Sequence, residues 1–347
     1  MFSLQTPLAY VKIAQKEGVE SNMYINALRS LLSLKQRDNY PMYTMTYYGD
    51  YGFDDFLIKG ATNDADLINY VSNRLFKGKK IDVGMPEIGC TSFLTKNKKG
   101  DVLYARNYDY PYCPFVLVQT KPDNGYASVS VVDLTALGYR KDFLPKKLKD
   151  RLALLGAPYL PFDGMNEKGL AISILVVPKT DLPNDPDKIT LNTSTANRLI
   201  LDKAATADEA VELFKKYNIY FSQNIFVHFL IADSSGKSVL IEYWDGAMHI
   251  KEEYIASNFL AHNQLSITED QEWREFERYH KVNAALDACG GIMEEMEAAQ
   301  LLCDVGIYDK EIDILQWSAV YNLTQRSGLI FPNRRLQSAH RFAVNRV

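Results

Sequence analysis

Cysteine is scarce in this chain, with four in 347 residues, and none of Cys90, Cys113, Cys289 and Cys303 stands at a metal-ligand spacing from another. That excludes a disulfide-stapled scaffold and a cysteine-based zinc site. Long apolar runs are also missing, since no stretch approaches the roughly 18 apolar residues of a membrane-spanning helix. No basic run exceeds scattered pairs such as Lys146-Lys147, and 39 Lys and Arg against 43 Asp and Glu leave a net charge of -4. Nucleic acid is therefore not an expected partner. The opening Met1-Phe2-Ser3-Leu4-Gln5-Thr6-Pro7 has neither the basic start nor the apolar core of a secretory signal. A cytoplasmic location is expected if Met1 is native; a mature form relieved of a signal peptide would look the same. The histidines, His228, His249, His262, His280 and His340, form no metal-ligand pattern, and no metal or cofactor is expected. His262 reads as a solvated loop residue, with pocket lining as the alternative. Repeats and low-complexity segments are absent.

What is present is an ordinary globular composition, 47% hydrophobic and 24% charged, at a length that buries one large core or two modest ones. Tyrosine is abundant at 22 residues, enough to wall an apolar pocket as well as fill a core. Helical periodicity runs from Met23 to Gln36 and from Asp64 to Phe76, with a Tyr/Gly/Asp-rich link near 40 to 55. From Cys90 onward the texture changes to strands: 90 to 95, 101 to 107, Phe115 to Thr120, Ala127 to Leu134, Gly169 to Val177, Asn224 to Asp233 and Lys237 to Trp244. Helical stretches at 194 to 205, 207 to 217 and 271 to 288 interleave, and strands return near 314 to 323 and 328 to 331. This order argues for an α+β protein of stacked sheets covered by helices, with residues 1 to 89 as a separate leading section.

The stretch Gly89-Cys90-Thr91-Ser92-Phe93 is followed, sixteen residues after the cysteine, by Arg106-Asn107-Tyr108-Asp109. Between them the turn-prone Lys96-Asn97-Lys98-Lys99-Gly100-Asp101 predicts a hairpin that brings the thiol and the Arg/Asp pair together. Arg106 is then a candidate to lower the thiol pKa. Taken singly, Cys90 reads equally as a small apolar strand residue, and Arg106 and Asp109 as surface charges.

Several segments together resemble the cysteine N-terminal-nucleophile (Ntn) amide hydrolases, the family of choloylglycine (bile salt) hydrolases, penicillin V acylases, acid ceramidase with N-acylethanolamine amidase, and isopenicillin N acyltransferases. They are Cys90-Thr91-Ser92, Arg106-Asn107-Tyr108-Asp109, Gly164-Met165-Asn166-Glu167-Lys168-Gly169-Leu170, Ala261-His262-Asn263-Gln264, Glu277-Arg278-Tyr279 and the paired strands from Trp317 to Phe331. The resemblance implies a four-layer αββα sandwich over residues 90–347, preceded by a mainly helical leader at residues 1–89. It also implies cleavage between Gly89 and Cys90, with the leader remaining associated, and a homo-oligomer is compatible with it. A freed α-amine on Cys90, with a pKa of about 7.7 to 8.0, would serve as its own general base.

By the same resemblance Cys90 is the nucleophile, Asp109 holds its amine, Arg106 balances the charge, Asn263 donates to the oxyanion and Arg278 supports the site. The expected reaction is hydrolysis of a linear amide in a small N-acyl substrate through a Cys90 thioester. The alternatives are transfer of the acyl group to an amine, or an uncleaved, silent binding protein. A papain-like peptidase is disfavoured, because the Cys-Gly-x-Cys-aromatic signature is missing. Bile salt hydrolases carry an asparagine a few residues past their Asn-Glu-x-Gly-Leu turn, where this chain has Val176, which removes one oxyanion donor and makes bile salts a poorer expectation.

Overall fold

The computed structural model describes residues 18–76, 89–110, 112–262, 269–309 and 312–344. Helix α1 (Gly18–Ser33) leads into strands β1 (Lys35–Gln36) and β2 (Met42–Thr46), then helices α2 (Phe53–Lys59) and α3 (Asp64–Phe76). Strands β3 (Cys90–Lys96), β4 (Val102–Asp109), β5 (Phe115–Thr120) and β6 (Ser128–Asp133) follow, and 3-10 turns within 134 to 159 connect to β7 (Asp163–Asn166) and β8 (Ala171–Val176). Next come β9 (Thr190–Asn192), α4 (Thr193–Lys203), α5 (Ala207–Phe214), β10 (Asn218–Tyr220), β11 (Val227–Ala232), β12 (Ser238–Trp244), β13 (Ala247–Glu252) and β14 (Ile255–Ala256). The chain closes with α6 (Glu269–Ala288), α7 (Glu295–Val305), the short pair β15 (Tyr308–Asp309) and β16 (Ile312–Asp313), and β17 (Leu315–Asn322), β18 (Ser327–Pro332) and β19 (His340–Ala343).

Two sheets form the middle layers. The nine-stranded sheet runs β1-β2-β5-β6-β7-β8-β11-β12-β13, and the six-stranded sheet runs β14-β3-β4-β17-β18-β19. Helices α4 and α5 pack on the first, α6 and α7 on the second, which gives the αββα sandwich. Because each sheet is covered on both faces, strands such as Val227–Ala232 are buried throughout and read as apolar runs rather than alternations. Helix starts follow local chemistry: the Asn192 side chain accepts from Thr195 N at 2.8 Å, and Thr206 Oγ1 from Glu209 N at 3.2 Å.

The β3–β4 hairpin forms as its sequence predicts. Asn97 Oδ1 accepts from the Lys99 and Asp101 amides at 3.0 and 2.9 Å, and Gly100 takes a φ of 85° that a side chain would resist. Strand alternation then gives the hairpin two faces. Ser92 Oγ lies 3.0 Å from Ser173 Oγ of β8, so Cys90, Ser92, Arg106 and Tyr108 look into the space between the sheets. Phe93 instead joins Val282, Ala298 and Leu302 in a second core under α6 and α7, so Thr91, Asn107 and Asp109 look outward to the helices.

Three elements differ from their sequence expectation. The link near 40 to 55 contains β2, whose Met42, Tyr43 and Met45 are buried and which pairs parallel to β5 in the register Met42 to Phe115. Its partner lies some seventy residues away, so no local signal marks it. The first helix stops at Ser33, and Lys35–Gln36 become β1. Helix α7 starts on a Glu294–Glu297 capping box, which lacks the Ser/Thr/Asp/Asn mark of a start. Among the described residues, no helix is long and apolar enough to cross a membrane, and no cluster of His, Cys, Asp and Glu suits a metal ion.

The leading section is stitched to the sandwich by a buried polar network. Tyr51 OH donates to Asp202 at 2.7 Å, and Arg198 Nη1 reaches Asp202 at 3.3 Å and Thr120 Oγ1 at 2.8 Å. Burial pushes the Asp202 carboxyl up to about 6 against the pull of Arg198. Arg198→Met should therefore cost about 3–5 kcal/mol in denaturant unfolding at neutral pH, because it strands a buried carboxylate. The sign follows from the raised pKa: a protonated Asp202 carries no such cost, so the gap to wild type should narrow as pH falls below about 6 and widen above it. A pH-independent gap, or none, would show that the pair is not coupled.

Candidate active site

Cys90 opens β3 on the inner face and is 2% exposed. The peptide that precedes it is held on both sides. The Gly89 carbonyl accepts from Asp109 N at 2.9 Å, and Cys90 N donates to Asn258 Oδ1 at 2.5 Å. A Cβ on Gly89 would stand 2.4 Å from Ile307 Cδ1 and 3.1 Å from Arg278 Nη2. The glycine thus relieves a close approach to the Ile307 side chain, and its φ lies outside the left-handed region.

Arg106 lies wholly buried on the same inner face. Its Nε donates to Asp163 Oδ2 at 3.3 Å, and Asp163 also accepts from Trp317 Nε1 at 3.1 Å and from Tyr321 OH. Burial pulls the guanidinium pKa down, but Cys90 and Asp163 outweigh it and hold the charge. Among the described residues Nη1 and Nη2 have no nitrogen or oxygen partner, and the guanidinium interacts with the Cys90 thiol. A buried cation with two unused donor groups beside a thiol is suited to meet a polar substrate group. Arg106 does pull the thiol pKa down, as expected, but burial pushes Cys90 up by more, so the net shift is upward.

Asp109 and Arg278 meet on the outer face. Arg278, on α6, donates through Nη1 to Thr91 Oγ1 at 3.0 Å and Asp109 Oδ2 at 3.2 Å, and through Nη2 to Asn258 Oδ1 at 2.6 Å and to Glu275. Asp109 Oδ1 accepts from Ile307 N at 2.9 Å. Burial raises Asp109 to about 6 in spite of Arg278 and lowers Arg278 to about 10 in spite of Asp109. Cys90, Arg106, Asp109 and Arg278 are thus brought to one strand end, the two arginines on opposite faces.

Asn263 lies outside the described residues. The asparagine seen at Cys90, the candidate nucleophile, is Asn258, which sequence reasoning missed. It follows the two-residue strand β14, and its Nδ2 donates to the Val176 carbonyl at 2.7 Å, so its amide bridges the two sheets at Cys90. Only the position after a short apolar strand, Ile255-Ala256-Ser257-Asn258, hinted at it, and nothing local ranked it above Asn263. His262 is only partly exposed, its side chain to 21%, and its Nδ1 lies 2.6 Å from Glu242 Oε2. Asn166 serves structure, donating to the Leu201 and Ala204 carbonyls at 3.1 and 2.7 Å to hold the end of α4.

Comparison with known proteins gives the fold and the family. Penicillin V acylase of Pectobacterium atrosepticum is 32% identical over 110 residues, a stretch covering 28% of this chain and only 29% of that relative. Two solved structures of conjugated bile acid hydrolase from Clostridium perfringens, a mutant and a variant, superpose with a TM-score of 0.53 each at 16% and 17% identity, covering 74% of this chain and 93% of theirs. At that identity they speak for the fold, the Ntn-hydrolase sandwich. Residues 90–264, starting at the candidate nucleophile and covering half the sequence, match the model of one family. The chain belongs to the linear amide C-N hydrolases, choloylglycine hydrolase family.

Proposed function

We propose that the chain hydrolyses a linear amide in a small N-acyl substrate through a Cys90 thioester, after cutting itself between Gly89 and Cys90. The observation that carries this reading is the Gly89–Cys90 peptide, pinned at its carbonyl by Asp109 N and at its N–H by Asn258, with the thiol on the same residue. In maturation Cys90 Sγ attacks the Gly89 carbonyl carbon and its proton passes to the departing nitrogen. The C–N bond breaks, and water hydrolyses the resulting thioester to a Gly89 carboxylate. The products are a free thiol and a free α-amine on Cys90.

That amine, with a pKa of about 7.7 to 8.0, takes the thiol proton in each later turnover, which a buried thiol of raised pKa requires. Asp109 is suited to hold the amine and Arg278 to hold Asp109. The thiolate attacks the substrate carbonyl, the amine product leaves with a proton, and water releases the acid. Arg106, with its two unused donor groups, orients the substrate. An asparagine amide, from Asn258 or Asn263, supports the oxyanion. On the inner face Tyr108 stacks on Trp317 at 4.1 Å with Phe162 edge-on at 5.4 Å, an aromatic wall that favours an apolar or aryl acyl group.

The severed leader should stay bound. β2 is hydrogen-bonded within the nine-stranded sheet, and Tyr51, Phe53 and Phe56 are buried to 1% exposure or less. Intact mass under denaturing conditions should therefore give two pieces, the larger beginning Cys-Thr-Ser, while size exclusion gives one particle. Cys90→Ala should stay whole and lose amide hydrolysis on an N-acyl panel of varied chain length. A stable, active, uncut wild type would sink self-processing, and hydrolysis undiminished in Cys90→Ala would remove the thiol from the mechanism. The same panel run with acceptor amines separates a hydrolase, which yields free acid, from a transferase, which yields the new amide. A chain that stays whole and inert throughout would be the silent binding protein.

Gly89→Ala should mature more slowly, since its methyl would meet Ile307 Cδ1. Ile307→Val removes that atom at a stability cost of about 0.5–1.5 kcal/mol and should restore much of the rate in the double variant. Equal maturation rates in Gly89→Ala and wild type would count against the fitted junction.

The oxyanion donor is read from kcat in fully matured Asn258→Ala and Asn263→Ala. Losing a donor typically lowers kcat by about 10²- to 10³-fold with much less effect on KM. Whichever variant remains within about threefold of wild type does not donate to the oxyanion.

A further inference from the structure

A second buried carboxylate near this site has no part in the chemistry above. Glu242 of β12 is fully buried, and its two oxygens meet four groups. Oε1 accepts from His228 Nδ1 at 2.9 Å and Ala261 N at 2.8 Å; Oε2 accepts from His262 N at 3.0 Å and His262 Nδ1 at 2.6 Å. Burial alone would raise its pKa, but the bonds from His228, His262 and Ala261 N–H outweigh it and hold the carboxyl down at about 2. Glu242 is thus favoured in its charged form, with all its accepting directions filled.

Its place in the sheet explains what those bonds fasten. In the β8–β11 register His228 sits opposite Leu175 and Val227 opposite Val176, the residue whose carbonyl holds Asn258 Nδ2. His228 thus anchors Glu242 to the part of the sheet that carries Asn258. Ala261 and His262 lie three and four residues beyond Asn258 on the segment that leaves β14. That segment is fixed at one end by Asn258, with its bonds to Val176, Cys90 and Arg278, and at the other by Glu242. A ring stack continues outward, His262 to His249 at 5.3 Å and His249 to Trp244 at 5.1 Å, and closes the space around the carboxylate.

We infer that Glu242 is a positioning residue for the amidase site: braced by His228, it clamps the backbone at Ala261 and His262 and so fixes where Asn258 presents its amide to Cys90. The inference rests on the amidase reading above. Released from the clamp, the segment keeps its fold, but Asn258 loses its set distance from the reacting atoms. Small misplacements of this kind cost rate more than binding.

The test uses full-length, matured protein and N-acyl substrates. Glu242→Gln keeps the shape of the side chain but puts an NH2 group where a carboxylate oxygen accepted from N–H donors. We expect kcat to fall by about 10- to 100-fold with KM within about threefold. His262→Ala, which spares both backbone bonds, should give a smaller fall in the same direction, and it carries the test by itself if Glu242→Gln does not fold. If Glu242→Gln folds but remains uncut, slowed maturation is the readout, since Asn258 also holds the Cys90 N–H before cleavage. A Glu242→Gln enzyme with near-normal kcat and a lowered melting temperature would make the cluster merely structural and overturn the inference while leaving the amidase reading intact. A raised KM at constant kcat would overturn it too, by making the segment a binding element. A wild type inactive on every substrate would remove the amidase reading and this inference with it.

Discussion

The site depends on one buried cation. Arg278 joins a helix, both strands of the β3–β4 hairpin and the segment after β14 through Glu275, Thr91, Asp109 and Asn258. Burial draws its pKa down to about 10, still well above neutrality, so it remains charged with Asp109 and Glu275 as its compensation. Such a knot contributes little net stability compared with an apolar replacement of the same shape, because desolvating the charges offsets most of their attraction. What it does supply is geometry. Removing one member leaves an uncompensated charge, so every alternative arrangement of these four elements is costly.

The hairpin then divides the chemistry between its faces. Inward, Cys90 and Arg106 share the space between the sheets with Asp163, Trp317 and Tyr108; outward, Asp109 answers to Arg278. A thiol whose pKa is raised by burial suits a nucleophile that waits for its base. On the proposed mechanism that base is the Cys90 nitrogen, which in this structure is an amide nitrogen hydrogen-bonded to Asn258. Among the described residues Arg106 Nη1 and Nη2 have no nitrogen or oxygen partner, and buried donors left so are uncommon and costly unless a ligand completes them.

The leading section is not an appendage placed over a finished domain. β2 lies between β1 and β5 in the nine-stranded sheet, and Tyr51 completes the Arg198–Asp202 network under it. Its aromatic residues Phe53, Phe56 and Tyr70 pack against Tyr159, which donates to the Tyr51 carbonyl at 2.5 Å. Main-chain bonding and aromatic burial tie the segment to the nine-stranded sheet.

The sequence by itself determined many of the elements and the order of the candidate site residues along the chain. Asp64–Phe76 and Phe115–Thr120 are helix and strand as their periodicity predicts, and the turn at Asn97 to Gly100 set the register that pairs Ser92 with Arg106 and Cys90 with Tyr108. Cys90, Arg106 and Asp109 were legible because they share one hairpin, where spacing fixes proximity. Tertiary structure alone decided the rest. Asn258 reaches Cys90 only because β14 pairs with β3, β2 is a strand only because β5 lies beside it, and His262 is held only because Glu242 and His228 stand on neighbouring strands. The sign of the thiol shift was also invisible, since a nearby arginine argues for a low pKa and only the depth of burial, a property of the packed sandwich, decides against it. Local pattern governs what a segment of chain can become; long-range packing governs which distant polar groups meet in a medium from which water has been removed.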